Sequence, residues 1–140
     1  MDDLEDLPKI LAKSYTYYDV TGRILANYHG TMVDEMDKVY SNCQRIEGTY
    51  SGKQYYILEY VPTIRPIQET IFSKTTLNAD GIDVINITFP YTGTLAIRGV
   101  ENLIIPIAGN ETFTTTITGI YYININAFPY LDFNIKLEAI

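Results

Sequence analysis

Apolar and polar positions alternate strictly at the C-terminal end of the chain. Phe133, Ile135 and Leu137 alternate with Asn134, Lys136 and Glu138, and Tyr121, Ile123 and Ile125 alternate with Tyr122, Asn124 and Asn126. A period of two puts successive side chains on opposite faces, so each segment predicts a strand with one face in a core. Upstream, turn signals recur at the spacing of about 8–12 residues expected of a sandwich. They are Ala79-Asp80-Gly81, Pro90 to Gly93, Gly99-Val100-Glu101, Gly109-Asn110, Thr118-Gly119 and the longer corner 127–132. Seven strands are therefore predicted, over residues 71–78, 82–89, 94–99, 102–108, 112–118, 120–126 and 133–139. Within 82–89 the parity switches at Val84-Ile85, which predicts a β-bulge.

The first half is patterned differently. In residues 1–14, Leu4, Leu7, Ile10 and Leu11 fall at helical spacings of three and four, with Asp6 placed to cap and Pro8 in the first turn. A helix this short is marginal in water, so its apolar stripe must be covered, either by its own domain or by a neighbouring subunit. Residues 15–61 predict a small β-rich unit. Ser14 to Val20 and Arg23 to His29 form a hairpin around Thr21-Gly22. One or two helical turns follow, with Met32, Met36, Val39 and Tyr40 on one face. Cys43 to Ile46 and Gln54 to Val61 are further strands, the latter with Tyr56, Leu58 and Tyr60 on one face. Pro62 and Pro66 stiffen residues 62–70 into an expected linker. The predicted fold class is thus mainly β: a small N-terminal β-rich unit followed by a C-terminal seven-stranded Ig-like β-sandwich over residues 71–140.

Charge narrows the partners. The chain carries a net charge of −7, without the basic stripe that phosphate neutralisation requires, so nucleic acid is not an expected partner. No apolar run is long enough for a membrane span. The acidic start, Met1 to Asp6, lacks the positive region of a signal peptide, and Cys43 is the single cysteine, so assembly in a cytoplasm without disulfides is expected. Tyr outnumbers Phe 13 to 5; an apolar ring with a polar tip suits half-buried strand faces and interfaces.

Reactive groups are sparse. His29 is the single histidine and falls at a hairpin end. A Cys43–His29 dyad would lack an orienting third group and a nucleophile signature. Neither Asp34-Glu35-Met36-Asp37 nor Asp2 to Asp6 has the alternating layout of a calcium loop. No zinc, dinucleotide or phosphate-loop spacing is present. The sequons Asn86-Ile87-Thr88 and Asn110-Glu111-Thr112 read as chance matches. No catalytic residue, metal or cofactor is expected, and the chain reads as a non-enzyme. An outward Thr/Asn set (Thr112, Thr114, Thr116, Asn124, Asn126) offers hydrogen bonds to sugar hydroxyls, although outward threonines are also ordinary in strands.

Four stretches together carry a likeness. Tyr18-Asp19-Val20-Thr21-Gly22-Arg23-Ile24-Leu25 resembles the opening hairpin of small tail-fibre-like virion proteins of tailed bacteriophages. Tyr60-Val61-Pro62 with Arg65-Pro66 resembles the segment that closes their first unit. Lys74 to Gly81 and Ala127 to Asp132 resemble the first turn and last corner of their C-terminal Ig-like domain. The resemblance spans residues 15–140 and implies a non-enzymatic structural protein of the virion, assembled in many copies or as a homo-oligomer with other virion proteins. Tail, tail-fibre or collar placement is the leading expectation, and head decoration the alternative. The resemblance does not reach residues 1–14; it is the helical spacing there that makes Leu4, Leu7, Ile10 and Leu11 the candidate partner-docking stripe. A second reading, of a carbohydrate-binding module for host-cell surface glycan, would use Tyr91, Tyr122 or Tyr130.

Overall fold

The computed structural model describes residues 11–140, so Leu4, Leu7 and Ile10 of the expected docking stripe lie outside the described residues; Leu11 is exposed. The chain divides after Arg65 into two compact units, and both are built mainly of strands.

In the first unit, β1 (Lys13–Tyr18) is the central strand of an antiparallel sheet ordered β2-β1-β3, with β2 spanning Ile24–Gly30 and β3 spanning Gln44–Glu47. The expected hairpin forms. Asp19 organises its turn, accepting from the backbone N–H groups of Thr21 and Arg23 and from the Thr21 hydroxyl. Burial opposes ionisation of Asp19, but these hydrogen bonds outweigh it and hold the carboxyl below the usual carboxylate range. The side chains of Thr16, Tyr17, Tyr18 and Ile57 are buried. Thr16 is fully enclosed, and its hydroxyl lies 2.7 Å from Asn27 Oδ1 and 2.9 Å from the Gly48 carbonyl while accepting from the Tyr50 N–H.

Helix α1 (Val33–Val39) lies where one was expected, with a different face inward. Met32 and Val39 are exposed, whereas Val33, Met36, Asp37 and Tyr40 are half-buried. The Tyr17 ring stacks on Tyr40 at 5.0 Å, and this contact rotates the helix away from the stripe that hydrophobicity alone suggests.

The segment 54–70 corrects two expectations. Gln54 to Val61 is not one strand: β4 (Tyr55–Leu58) and β5 (Val61–Ile64) form a two-stranded antiparallel ribbon with Leu58 opposite Val61. Glu59 and Tyr60 turn the chain at φ 50° and 67°, both left-handed. Ile57, not the Tyr56–Leu58–Tyr60 set, is the buried position. The residues expected as a linker are folded. Pro62 sits in β5 opposite Ile57, on a strand whose other edge needs no donor. In the second unit, Gln68 and Thr70 are buried.

That unit is a two-sheet β-sandwich. Strands β6 (Ile71–Phe72), β8 (Ile85–Thr88) and β11 (Glu111–Phe113) make one sheet, in the order β11-β8-β6. Strands β7 (Thr76–Leu77), β9 (Thr92–Gly99), β10 (Leu103–Ala108), β12 (Gly119–Asn126) and β13 (Phe133–Ala139) make the other, in the order β10-β9-β12-β13-β7. Both sheets feed one core, including Ile85, Ile87 and Phe89 from the first side and Leu95, Tyr121, Ile123, Ile125 and Leu137 from the second. The chain repeatedly crosses between sheets, as an Ig-like sandwich does. Tyr121 is fully buried and donates its hydroxyl proton to the Ile117 carbonyl at 2.8 Å. This tyrosine corner pins the β11–β12 crossover.

The predicted seven strands become eight, because the expected strand 71–78 changes sheets midway. Its first part pairs antiparallel with β8 and its second pairs parallel with β13. The expected bulge at Val84-Ile85 is absent, since the strand begins only at Ile85. Asp80 Oδ1 accepts from the N–H groups of Ile82 and Asp83, and these bonds lower its pKa and hold residues 80–83 as a turn with Ile82 exposed. Lys74 bonds to Asp83, the main reason its carboxyl also titrates below the usual range.

Candidate functional site

The strand register gathers polar chemistry on the outer face of the five-stranded sheet. Outward positions of β9, β12 and β13 align in cross-strand rows. One row reads Arg98–Tyr122–Lys136, since Tyr122 pairs with Arg98 on one side and Lys136 on the other. The next reads Ala96–Asn124–Asn134. Adjacent strands are about 4.8 Å apart, so the two cations stand roughly 10 Å from one another with an aromatic ring between them. Tyr122 is 56% exposed. These side chains surround an open depression of about 610 Å³.

The amide row is ordered. Asn124 Nδ2 donates to Asn134 Oδ1 at 2.9 Å and to Asp132 Oδ2 at 3.3 Å, while Asn126 Nδ2 donates to Asp132 Oδ1 at 2.9 Å. Asp132 is thereby held between two amides, and Asn134 is fixed through its Oδ1. Of the basic residues after position 70, Lys74 is engaged by Asp83; Arg98 and Lys136 make no ion pair with any described residue.

The three tyrosines expected to recognise a surface do not converge. Tyr91 and Tyr130 stack on each other with ring centroids 4.1 Å apart, and Tyr91 also meets Phe89 edge-on. Both are half-buried against the core, and the Tyr91 hydroxyl accepts from the Glu69 N–H. They close one end of the sandwich. Tyr122 alone of the three lies on an open face. The Thr/Asn set also splits: Thr112 is in the three-stranded sheet while Asn124 and Asn126 are in the other, and the Thr114 hydroxyl donates to the Asp83 carbonyl.

A second constellation sits in the first unit. The Tyr17 hydroxyl donates to Asp37 Oδ1 at 2.8 Å, Arg45 approaches the same oxygen at 3.6 Å, and the Arg45 guanidinium lies over the Tyr15 ring at 4.5 Å. Burial first, and then the Asp37 carboxylate, push the Tyr17 hydroxyl up to about 12. At neutral pH it is a fixed proton donor to Asp37. Because the folded value lies above the unfolded value of about 10, this tyrosine's contribution to stability is complete below pH 10 and lost as pH rises towards 12. An alkaline titration followed at tyrosinate absorbance is expected to include a late phase near pH 12 from Tyr17, and Asp37→Asn should move that phase earlier.

His29 is exposed at the end of β2 and pairs through Nδ1 with the Ser14 hydroxyl at 2.7 Å, its partner in the β1–β2 register. The predicted hairpin around Thr21-Gly22 already sets these two residues opposite each other; the hydrogen bond between them is what the structure adds. Cys43 is half-buried and free. Among the described residues no three His, Cys, Asp or Glu side chains converge as metal ligands, and no helix is long and apolar enough to cross a membrane.

No protein-family model and no curated protein matches the chain. Among solved structures it is similar to a glycosyl hydrolase family 2 member from Bacteroides cellulosilyticus, at 10% identity and a TM-score of 0.37. The match covers 91% of this chain but only 22% of that one. So remote a likeness bears on neither fold nor activity.

Proposed function

We propose that this protein is a non-enzymatic structural component of a tailed-bacteriophage particle, associated with the tail, tail fibre or collar and present in many copies. The phage assignment rests on the resemblance carried by Tyr18 to Leu25, Tyr60 to Pro66, Lys74 to Gly81 and Ala127 to Asp132. In this reading the N-terminal unit anchors and the sandwich is displayed.

The observation that carries the anchoring role is the β4–β5 ribbon. Leu58, Tyr60, Val61 and Ile64 are 49%, 72%, 58% and 70% exposed on one short hairpin. Its tip places two non-glycine residues at positive φ, a conformation that costs of order 1–3 kcal/mol per residue and tends to persist at binding sites. An apolar hairpin held in this way suits insertion into a neighbouring protein better than standing in water.

The triple variant Leu58→Ser, Val61→Ser, Ile64→Ser tests the anchor. Expressed in place of the natural chain during infection, it should be recovered in purified particles at least about tenfold less than wild type, as measured by immunoblot. Equal occupancy would remove the ribbon as the anchor, and absence of the wild-type chain from particles would overturn the virion assignment.

A further inference from the structure

We infer that the outer face of the five-stranded sheet binds an acidic polysaccharide, with Tyr122 as the stacking platform and Arg98 and Lys136 as paired anion contacts. A strand tyrosine facing solvent is common, so exposure alone decides nothing. Three further observations act together. The ring is flanked in register on both sides by cations with no ion pair among the described residues. Both cations are exposed on a chain of net charge −7, where positive side chains are scarce and these two share one row. The adjoining Asn124–Asn134 pair is held by its own hydrogen bond and by Asp132, so its remaining amide groups are set in place before a ligand arrives.

Each part answers to a feature of an acidic sugar chain. The tyrosine face packs on the apolar face of a pyranose ring. Arg98 offers a planar fork for a carboxylate or sulfate, and Lys136 a point charge for a second acid group roughly 10 Å away across two strand spacings. The amides suit hydroxyls between them. An acidic peptide would more naturally add to a sheet edge, where backbone groups are unpaired, than lie across a central row. The carboxylates on this face, Asp132 and Glu138, lie to either side of the cation row; Asp132 is already bound by Asn124 and Asn126, and Glu138 stands opposite Ile120. They would select for the position of the acid groups rather than attract them.

This inference is independent of the anchoring role of the β4–β5 ribbon and survives if that role fails. Isothermal titration of the full chain with alginate oligomers and with heparin oligosaccharides, against neutral amylose oligomers, is the test. Binding of at least one acidic glycan is expected, without amylose binding, and it should weaken as salt is raised. Tyr122→Ala, Arg98→Gln and Lys136→Gln should each reduce affinity by roughly tenfold or more, while Lys136→Arg retains it. All four changes are at exposed positions, and circular dichroism would verify the fold of each variant. Absence of binding to both acidic glycans, equal binding of amylose, equal binding of poly-glutamate, or affinity unchanged in Arg98→Gln and Lys136→Gln would each overturn the proposal.

Discussion

Gln68→Leu is expected to destabilise the sandwich by about 2–4 kcal/mol, although the change puts an apolar side chain at a buried position. Gln68 is 6% exposed. Its amide nitrogen, Nε2, donates to the Ile125 carbonyl at 2.8 Å and to the Leu131 carbonyl at 2.9 Å, while Oε1 accepts from the Thr70 hydroxyl at 2.7 Å. Leucine removes both donors and the acceptor together. A buried polar group left unpaired costs about 1–3 kcal/mol, and the burial of one extra apolar side chain offsets only part of that. The same segment is tied a second time, because the Leu131 N–H donates to the Pro66 carbonyl at 2.7 Å. Urea unfolding should therefore show a lower midpoint with an unchanged slope. Glu69→Ala, at an exposed position between the two buried ones, should stay within about 0.5 kcal/mol of wild type. A Gln68→Leu midpoint equal to wild type would mean that these bonds do not hold residues 66–70 on the sandwich.

Residues 66–70 also show where sequence reasoning reached its limit. Pro62 and Pro66 make 62–70 look like a linker, yet residues 66–70 are fixed by Gln68 side-chain bonds to carbonyls more than fifty residues away in the chain, and no local pattern encodes such partners. The strands that were read well are those whose partner lies next in sequence. β12 and β13 form a hairpin with every inward position as alternation predicts, because one buried face sets parity and register together. Errors fall where local and tertiary preferences diverge. Gln54 to Val61 has no Gly or Asn to announce a turn, so Glu59-Tyr60 at positive φ was invisible and the ribbon read as one strand. Ile82 and Val84 look like strand positions because they are apolar; Asp80's hold on the N–H groups of Ile82 and Asp83 keeps residues 80–83 in a turn instead, and strand pairing starts only at Ile85.

The candidate site was half legible for the same reason. Tyr122 follows from parity alone, since its neighbours Tyr121 and Ile123 face the core. Its pairing with Lys136 follows from the β12–β13 hairpin, but its pairing with Arg98 requires the order β9-β12-β13, which makes residues more than twenty positions apart adjacent. Tyr91 and Tyr130 lie near turns in the sequence and so read as surface residues, but a turn tyrosine beside Phe89 gains more by stacking in the closing end of the sandwich than by facing water. In the first unit, the Tyr17–Asp37–Arg45 cluster joins a strand, a helix and a second strand, and composition signals only the surplus of tyrosine.

Gly22→Ala should cost the first unit about 2–5 kcal/mol, through the hairpin turn rather than through any lost side chain. Gly22 has φ +88°, and a Cβ built there would stand 2.1 Å from the Ile57 carbonyl oxygen. An alanine in the left-handed region costs about 1–2 kcal/mol by itself. The steric conflict adds to this because the obstructing atom is backbone and cannot swing aside. The Gly22 carbonyl also accepts from the Ile57 N–H at 2.8 Å, so relieving the overlap stretches a backbone bond that ties the β1–β2 turn to β4. A buried hydrogen bond broken in this way costs a further 1–3 kcal/mol or so. Ile57 is the buried residue of the β4–β5 ribbon, and loosening it frees the hairpin assigned the anchoring role. Amide exchange read at Ile57 should accelerate by more than about tenfold in Gly22→Ala. In Thr21→Ala, which removes only a hydroxyl bonded to Asp19 in the same turn, the Ile57 rate should stay close to wild type. If both variants exchange at the wild-type rate, Gly22 is not the residue that brings the turn and β4 together.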